Sequence, residues 1–154
     1  MFSNFLLAFD GTREGYEALH EATELARRLG AKVHLVSCIH LSPGALMAEG
    51  AVAGSILDLE AAEMGKVLNE GIAALKREGM TAEGSLCHGI NPALDITGLA
   101  TQIGADLIVI GHREQKLLAR LWNGSVGQQL IAHAPCSVLV AVAPASAARG
   151  VAAA

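Results

Sequence analysis

Between Asp106 and Gly111 the chain reads Leu107-Ile108-Val109-Ile110, with no polar residue in the run. The run is too short for a core helix, and it does not alternate. It therefore predicts a strand that meets water on neither face. Such a strand belongs in a parallel sheet with helices on both sides. Phe5-Leu6-Leu7-Ala8-Phe9, ended by Asp10-Gly11, repeats the pattern. Val33 to Ile39 is a second β-rich run, interrupted by His34 and Ser37 without being broken. Thr81 to Cys87 alternates loosely, and Ser137 to Val142 is a last strand.

Helical periods fill the intervals. Leu19, Ala22, Ala26 and Leu29 recur at steps of three and four, with Glu17, Glu21, Glu24, Arg27 and Arg28 on the other side and Gly30 as the stop. Leu57, Ala61, Met64, Leu68, Ile72 and Leu75 mark a long second helix. Gly65 and Gly71 weaken it by ~1 kcal/mol each relative to Ala, and Gly79 stops it. Asn91-Pro92 pairs an N-cap residue with a proline suited to the first helical position; Ile96, Leu99 and Ile103 form the buried stripe before Gly104. Ser125-Val126-Gly127-Gln128 fits a capping box that opens a short helix ending before Pro135. Leu41 to Gly54 shows no clear period and reads as a mobile connection, helical in part. The resulting order is β-α-β-α-β-α-β-α-β, with right-handed crossovers expected. Periodicity does not fix the order of strands within the sheet.

Composition sets the outer bounds. The 154 residues suffice for one domain, expected over 1–142, with the aperiodic small-residue stretch 143–154 as a flexible tail. Hydrophobic residues at 52% and charged residues at 17% support a sizeable core and exclude general disorder, while 3% aromatics leave that core to Leu, Ile, Val and Ala. A net charge of −4 argues against a nucleic-acid surface. Pro43 and Glu49 interrupt the longest weakly apolar stretch, and no basic segment precedes an apolar run at the start, so neither a membrane span nor a secretory signal is expected. Three cysteines without a CxxC pair suit reduced thiols in the cytoplasm and give no zinc pattern. The six histidines form no HxxxH or HxH set, so no metal site is expected.

Open α/β sheets bind ligands at the carboxyl ends of their strands. Two features fall at such ends: Asp10-Gly11-Thr12 after the first strand, and Gly111 through Ser125 after the fourth. If those strands are neighbours, both features line one crevice. Gly124 permits close approach of backbone to a ligand, and free amides at the helix start attract an anion that the Ser125 hydroxyl can also meet. Arg113, Lys116 and Arg120 add positive charge, and His112 sits in the same stretch. The chemistry suggested is phosphate holding; the plainer alternative is that Gly124-Ser125 is only a good helix start.

The residues from Phe5 to Thr12, Gly89-Ile90-Asn91-Pro92-Ala93, Ala105 to Gly111, Gly124-Ser125-Val126 and His133 to Val140 together resemble the universal stress protein family. The resemblance extends over roughly residues 3 to 142 and is most specific at the end. It implies a Rossmann-like, adenine nucleotide alpha hydrolase-like sheet of five parallel strands in order 3-2-1-4-5, with helices on both faces. It also implies a homodimer formed through the last strand, 137–142. One branch of the family binds ATP through Gly, two residues, Gly, nine residues and Gly-Ser/Thr. Here Gly111 and Gly124-Ser125 keep that spacing, and Glu114 replaces the middle glycine. A carboxylate ~4 Å from a phosphate charge repels it by about 4 kcal/mol at an effective dielectric of ~20, less where it swings into water. Carried over by position, Asp10 meets a ribose hydroxyl or the adenine amine, Cys38 offers backbone to adenine, Ala8 and Phe9 line the base, and Ile110 covers it. Phe9 is large for its place and narrows the pocket. Asp10 has an equally weighted local role as an Asx-turn or cap before the first helix.

These readings point to an adenine nucleotide (ATP, ADP or AMP), with or without Mg2+, held as a switch or sensor in the stress response. No general base is identifiable near the phosphates, so an enzyme is not expected. The alternative is a homodimeric interaction module of the same fold whose cleft is closed by Glu114 and Phe9. A nucleotidyl-transferring enzyme or flavoprotein lacks an HxGH-type segment.

Overall fold

The run that most constrained the sequence is β4 (Leu107–His112), and it lies between β1 (Asn4–Ala8) and β5 (Ser137–Val142). β2 (Lys32–His40) pairs with the other side of β1, and β3 (Ala82–Gly89) pairs with β2. The sheet is parallel throughout, in order β3-β2-β1-β4-β5. Between the strands run α1 (Arg13–Leu29), α2 (Ala51–Arg77), α3 (Pro92–Ile103) and α4 (Ser125–His133). The computed structural model describes residues 1–40, 51–112 and 125–142. The expected tail, 143–154, lies outside them.

Period-two alternation sorts the strands onto two cores. Phe5, Leu7, Phe9, Val33, Leu35, Leu107 and Val109 face one side and pack with Ala22 and Ala26 of α1 and Leu68 and Leu75 of α2. Leu6, Val36 and Ile108 face the other and pack with Ala93, Ile96 and Ala100 of α3 and Leu130 of α4. Alanines on the helix faces let the helices approach the sheet closely, so a core poor in aromatics still closes over the central strands.

Helix ends follow the expected chemistry. Thr12 caps α1, accepting from the Gly15 amide at 3.1 Å, and Gly30 ends it at φ +66°. Asn91 caps α3, accepting from the Ala93 amide at 3.1 Å, with Pro92 leading the first turn and Gly104 ending the helix at φ +64°. The side chain of Asn91 also donates to that of Gln129, tying α3 to α4.

Three boundaries differ from expectation. α2 begins at Ala51, within the connection expected to be helical only in part and before the first periodic residue, Leu57. Its first turns carry Ile56 and Leu59 on exposed surface, so no buried stripe marks them in the sequence. The rest of that stretch, 41–50, lies outside the described residues. β1 ends at Ala8, although the Phe9 amide still donates to the Val36 carbonyl at 2.9 Å. β3 reaches Gly89 because its pairing with β2 continues to His40.

At the opposite end of the sheet, Asp106 clamps β1 to β4. Its carboxylate accepts from the Ser3 amide at 2.7 Å, the Ser3 hydroxyl at 2.8 Å and the Asn4 amide at 3.0 Å. Burial pushes this carboxyl up, but the Asn4 and Ser3 donors outweigh it and hold the group below its ordinary range. The unfolded chain therefore takes up a proton at a pH where the folded one does not. The stability from this group is present above the ordinary carboxylate pKa, about 3.9, and is lost as pH falls through the lower folded value. Urea midpoints followed into acid are expected to fall less steeply for Asp106→Asn than for the parent chain; parallel curves would remove the clamp from the acid response.

Candidate functional site

Among the described residues, the carboxyl end of the sheet is incompletely covered on the α3–α4 side. Leu6, Val36 and Ile108 are 0–1% exposed. Two residues further along the same faces, Ala8, Cys38 and Ile110 are half-buried. Ala8 is in register with Ile110 on one side and Val36 on the other, so the tips of β1 and β4 are neighbours, as the crevice requires. α4 connects β4 to the parallel β5, so it runs back against the strands and its first residue, Ser125, lies at their carboxyl end. Amides in the first turn of a helix have no partner within the helix. Gly111, in register with Ala141, leaves β4 at the same end.

Phe9 departs from the expected lining. Its ring is 2% exposed and points into the α1–α2 core, edge-on to Tyr16 with ring centroids 5.0 Å apart. A side chain on that face of the sheet neither lines nor narrows a cleft on the other. The cause is strand parity: Phe9 follows Phe5 and Leu7, whereas Ala8 follows Leu6. Its backbone is also engaged, since the carbonyl accepts the Ser37 hydroxyl at 2.7 Å.

Asp10 is exposed, and its Oδ1 accepts from the Thr12 amide at 3.0 Å and the Thr12 hydroxyl at 2.6 Å. That is the local Asx-turn role, and Thr12 passes it on by capping α1. Two glycines make room for the turn. Gly11 has φ +71°, and a Cβ there would lie 2.6 Å from Val67 Cγ1 of α2. A Cβ on Gly15 would lie 2.6 Å from Asp10 Oδ1. Sequence reasoning passed over Gly15 and Val67; the Asp-Gly-Thr-x-x-Gly spacing was the available signal for the former, while nothing local announces the latter.

Cys38 lies near the end of β2. It is half-buried and stands in register with Cys87 of β3. Burial pushes its thiol up to about 12, with Cys87 and Asp95 adding to the shift. Cys38 also borders a cavity of about 430 Å³ between the end of β2 and α2, lined with Ile39, Glu60, Glu63, Met64 and Val67. Two carboxylates make that cavity a poor place for phosphate, and none of its lining residues except Cys38 belongs to the expected site. The site residues Arg113, Glu114 and Gly124 lie outside the described residues, as do Lys116 and Arg120. Ser125 and Val126 are the first two residues of α4, so Ser125 lies inside the helix and not at the cap position that the expected capping box gave it.

Among the described residues no three His, Cys, Asp or Glu side chains gather as a metal set, and no helix is long and apolar enough to cross a membrane.

This architecture matches known proteins. The chain is 29% identical over 145 residues to a putative universal stress protein of Staphylococcus haemolyticus, covering 90% of this chain and 84% of that one. A crystal structure of a universal stress protein family member from Burkholderia pseudomallei superposes with a TM-score of 0.74 at 28% identity, covering 92% of this chain and 97% of that one. A universal stress protein from Archaeoglobus fulgidus, solved in complex with dAMP, superposes with a TM-score of 0.66 at 23% identity, covering 90% and 97%. The family model for universal stress proteins matches residues 1–142, and the chain belongs to that family.

Proposed function

We propose that this protein binds an adenine nucleotide at the carboxyl end of β1 and β4 and acts as a switch or sensor in a stress response, without catalysing a reaction. The observation that carries the reading is the change along one sheet face from fully buried Leu6, Val36 and Ile108 to half-buried Ala8, Cys38 and Ile110, beside the start of α4. Small Ala8 leaves room for a flat base, and Ile110 offers it an apolar contact. Asp10, with Oδ1 held in the turn, has a second carboxylate oxygen to accept a ribose hydroxyl. Phosphate goes to the amides of Ser125 and Val126, which follow Gly124 in sequence, at the end of the sheet where Gly111 leaves β4 and Arg113 follows it in sequence. The dAMP complex of the Archaeoglobus relative supports a nucleoside monophosphate as a sufficient ligand. The residues fit the base and ribose without a metal; Mg2+ has a role only where a triphosphate binds.

Thermal unfolding with ATP, ADP and AMP, each with and without Mg2+, tests the reading. Ligand at a hundred times its Kd stabilises the fold by about 2.7 kcal/mol, a clear rise in Tm. Glu114→Gly, which removes a carboxylate from the family's glycine position, is expected to tighten binding. No rise with any adenine nucleotide, in either the parent chain or Glu114→Gly, leaves the interaction module as the reading. That second reading has its own support in the edge strand β5, where Leu139, Val140 and Val142 are 37–55% exposed. An open apolar edge of this kind suits pairing with a second copy, and the mass in solution decides it.

A further inference from the structure

We propose that Cys38 and Cys87 are a redox pair that a hydroperoxide converts to a reversible disulfide between β2 and β3. The two residues are directly in register on neighbouring parallel strands, so both side chains leave the same face of the sheet. Neighbouring strands run about 4.8 Å apart, which is inside the Cα separation of about 4.4–6.8 Å that a disulfide spans. The two thiols are near enough for each to act on the other's ionisation. Both are half-buried rather than sealed, on the α3–α4 face of the sheet. β3 is the edge strand of the sheet, free on its outer side to shift by the small amount that closing the bond requires.

The surroundings favour the disulfide over a single charged sulfur. Burial, first, and then the Asp95 carboxylate push the Cys87 thiol up. Cys87 stands on the edge strand and is the first to react. Asp95 Oδ2 is buried with no hydrogen-bond partner among the described residues, held over Gly89, where a Cβ would come within 2.0 Å of it. A thiolate beside that carboxylate is repelled; a neutral disulfide is not. Cys136, which lies in the other half of the sheet before β5, has no cysteine in register with it.

The Cys87 thiolate attacks the hydroperoxide, its proton having passed to water. The O–O bond breaks, giving the Cys87 sulfenic acid and an alcohol, or water when the oxidant is hydrogen peroxide. The Cys38 sulfur then attacks the Cys87 sulfur. The S–S bond forms, the S–O bond breaks, and the hydroxyl leaves as water with the Cys38 proton. Two thiols lose two electrons in all, and the peroxide gains them. Individually the thiols are slow nucleophiles, since the thiolate is the reactive form. The second step is intramolecular and outruns further oxidation.

The inference rests on the strand pairing and not on nucleotide binding. The full chain, treated with one equivalent of hydrogen peroxide and then alkylated, is expected to lose two hydrogens from its intact mass and to leave Cys136 alkylated. Peptide mapping is expected to join the Cys38 and Cys87 peptides within one chain, and dithiothreitol to restore both thiols. Cys38→Ser and Cys87→Ser are expected to lose the crosslink completely, and Cys136→Ser to keep it. Oxidation that yields sulfinic acids or interchain bonds in the parent chain, with Cys38 and Cys87 in unlinked peptides, overturns the proposal whether or not any variant folds.

Discussion

Gly71→Val is expected to leave a chain that loses about 3 kcal/mol of stability or more, while Gly65→Ala in the same helix is expected to gain up to about 1 kcal/mol. The two glycines are six residues apart in α2. A Cβ on Gly71 would lie 2.7 Å from Phe9 Cε1 and 2.9 Å from both Phe9 Cδ1 and Leu35 Cδ1. Neither neighbour is a loose side-chain end. Phe9 is held edge-on by Tyr16, and Leu35 is fully buried in the central sheet. Overpacking a tight core costs about 1–3 kcal/mol, and valine adds two further methyls and a stiff β-branch. The higher helix propensity of any residue over glycine returns less than 1 kcal/mol of this. A Cβ on Gly65 meets nothing within 4 Å, so alanine there gains propensity alone. Urea denaturation of both variants reads the contrast. Equal shifts would mean that α2 does not press on Phe9, and the placement of that ring outside the cleft would fail with it.

The same pair shows what a sequence can and cannot convey here. Both glycines read as equal weak points in an amphipathic period; only packing separates them. Leu107 to Ile110 is legible because a strand buried on both faces must be apolar at every position, and no local alternative competes. Asn91-Pro92 and Gly30 are legible because a cap acts within a few residues of itself. The order of the strands is set by contacts far apart in the chain, and it came from resemblance rather than from period. Phe9 is a different case. Strand parity alone puts Phe5, Leu7 and Phe9 on one face and Leu6 and Ala8 on the other, so a lining that uses both Ala8 and Phe9 side chains would need both faces of one strand. For Asp10 the turn is observed: the Asx-turn holds Oδ1 and leaves ligand contact to the other oxygen. The Cys38–Cys87 register had no local signal, because the partner of a residue on a parallel strand lies a whole crossover away.

Gly124→Asp is expected to weaken adenine-nucleotide binding by a hundredfold or more without lowering the stability of the unliganded chain. Gly124 directly precedes Ser125, the first residue of α4. Aspartate is among the preferred N-cap residues and suits the positive end of the helix, so the fold loses nothing and gains a few tenths of a kcal/mol over glycine. The same charge faces whatever anion those amides hold. Each pair of unit charges ~4 Å apart costs about 4 kcal/mol at an effective dielectric of ~20, and a hundredfold loss requires only about 2.8 kcal/mol. A carboxylate that caps the helix also occupies the amides a phosphate would use. Gly124→Asn separates the two effects, because it caps without charge and is expected to lose far less affinity. Titration calorimetry with AMP and ATP, together with Tm in the absence of ligand, reads both quantities. Unchanged affinity in Gly124→Asp would falsify the assignment of phosphate to the start of α4. A fall in Tm without ligand would instead show that the chain needs glycine itself at this position.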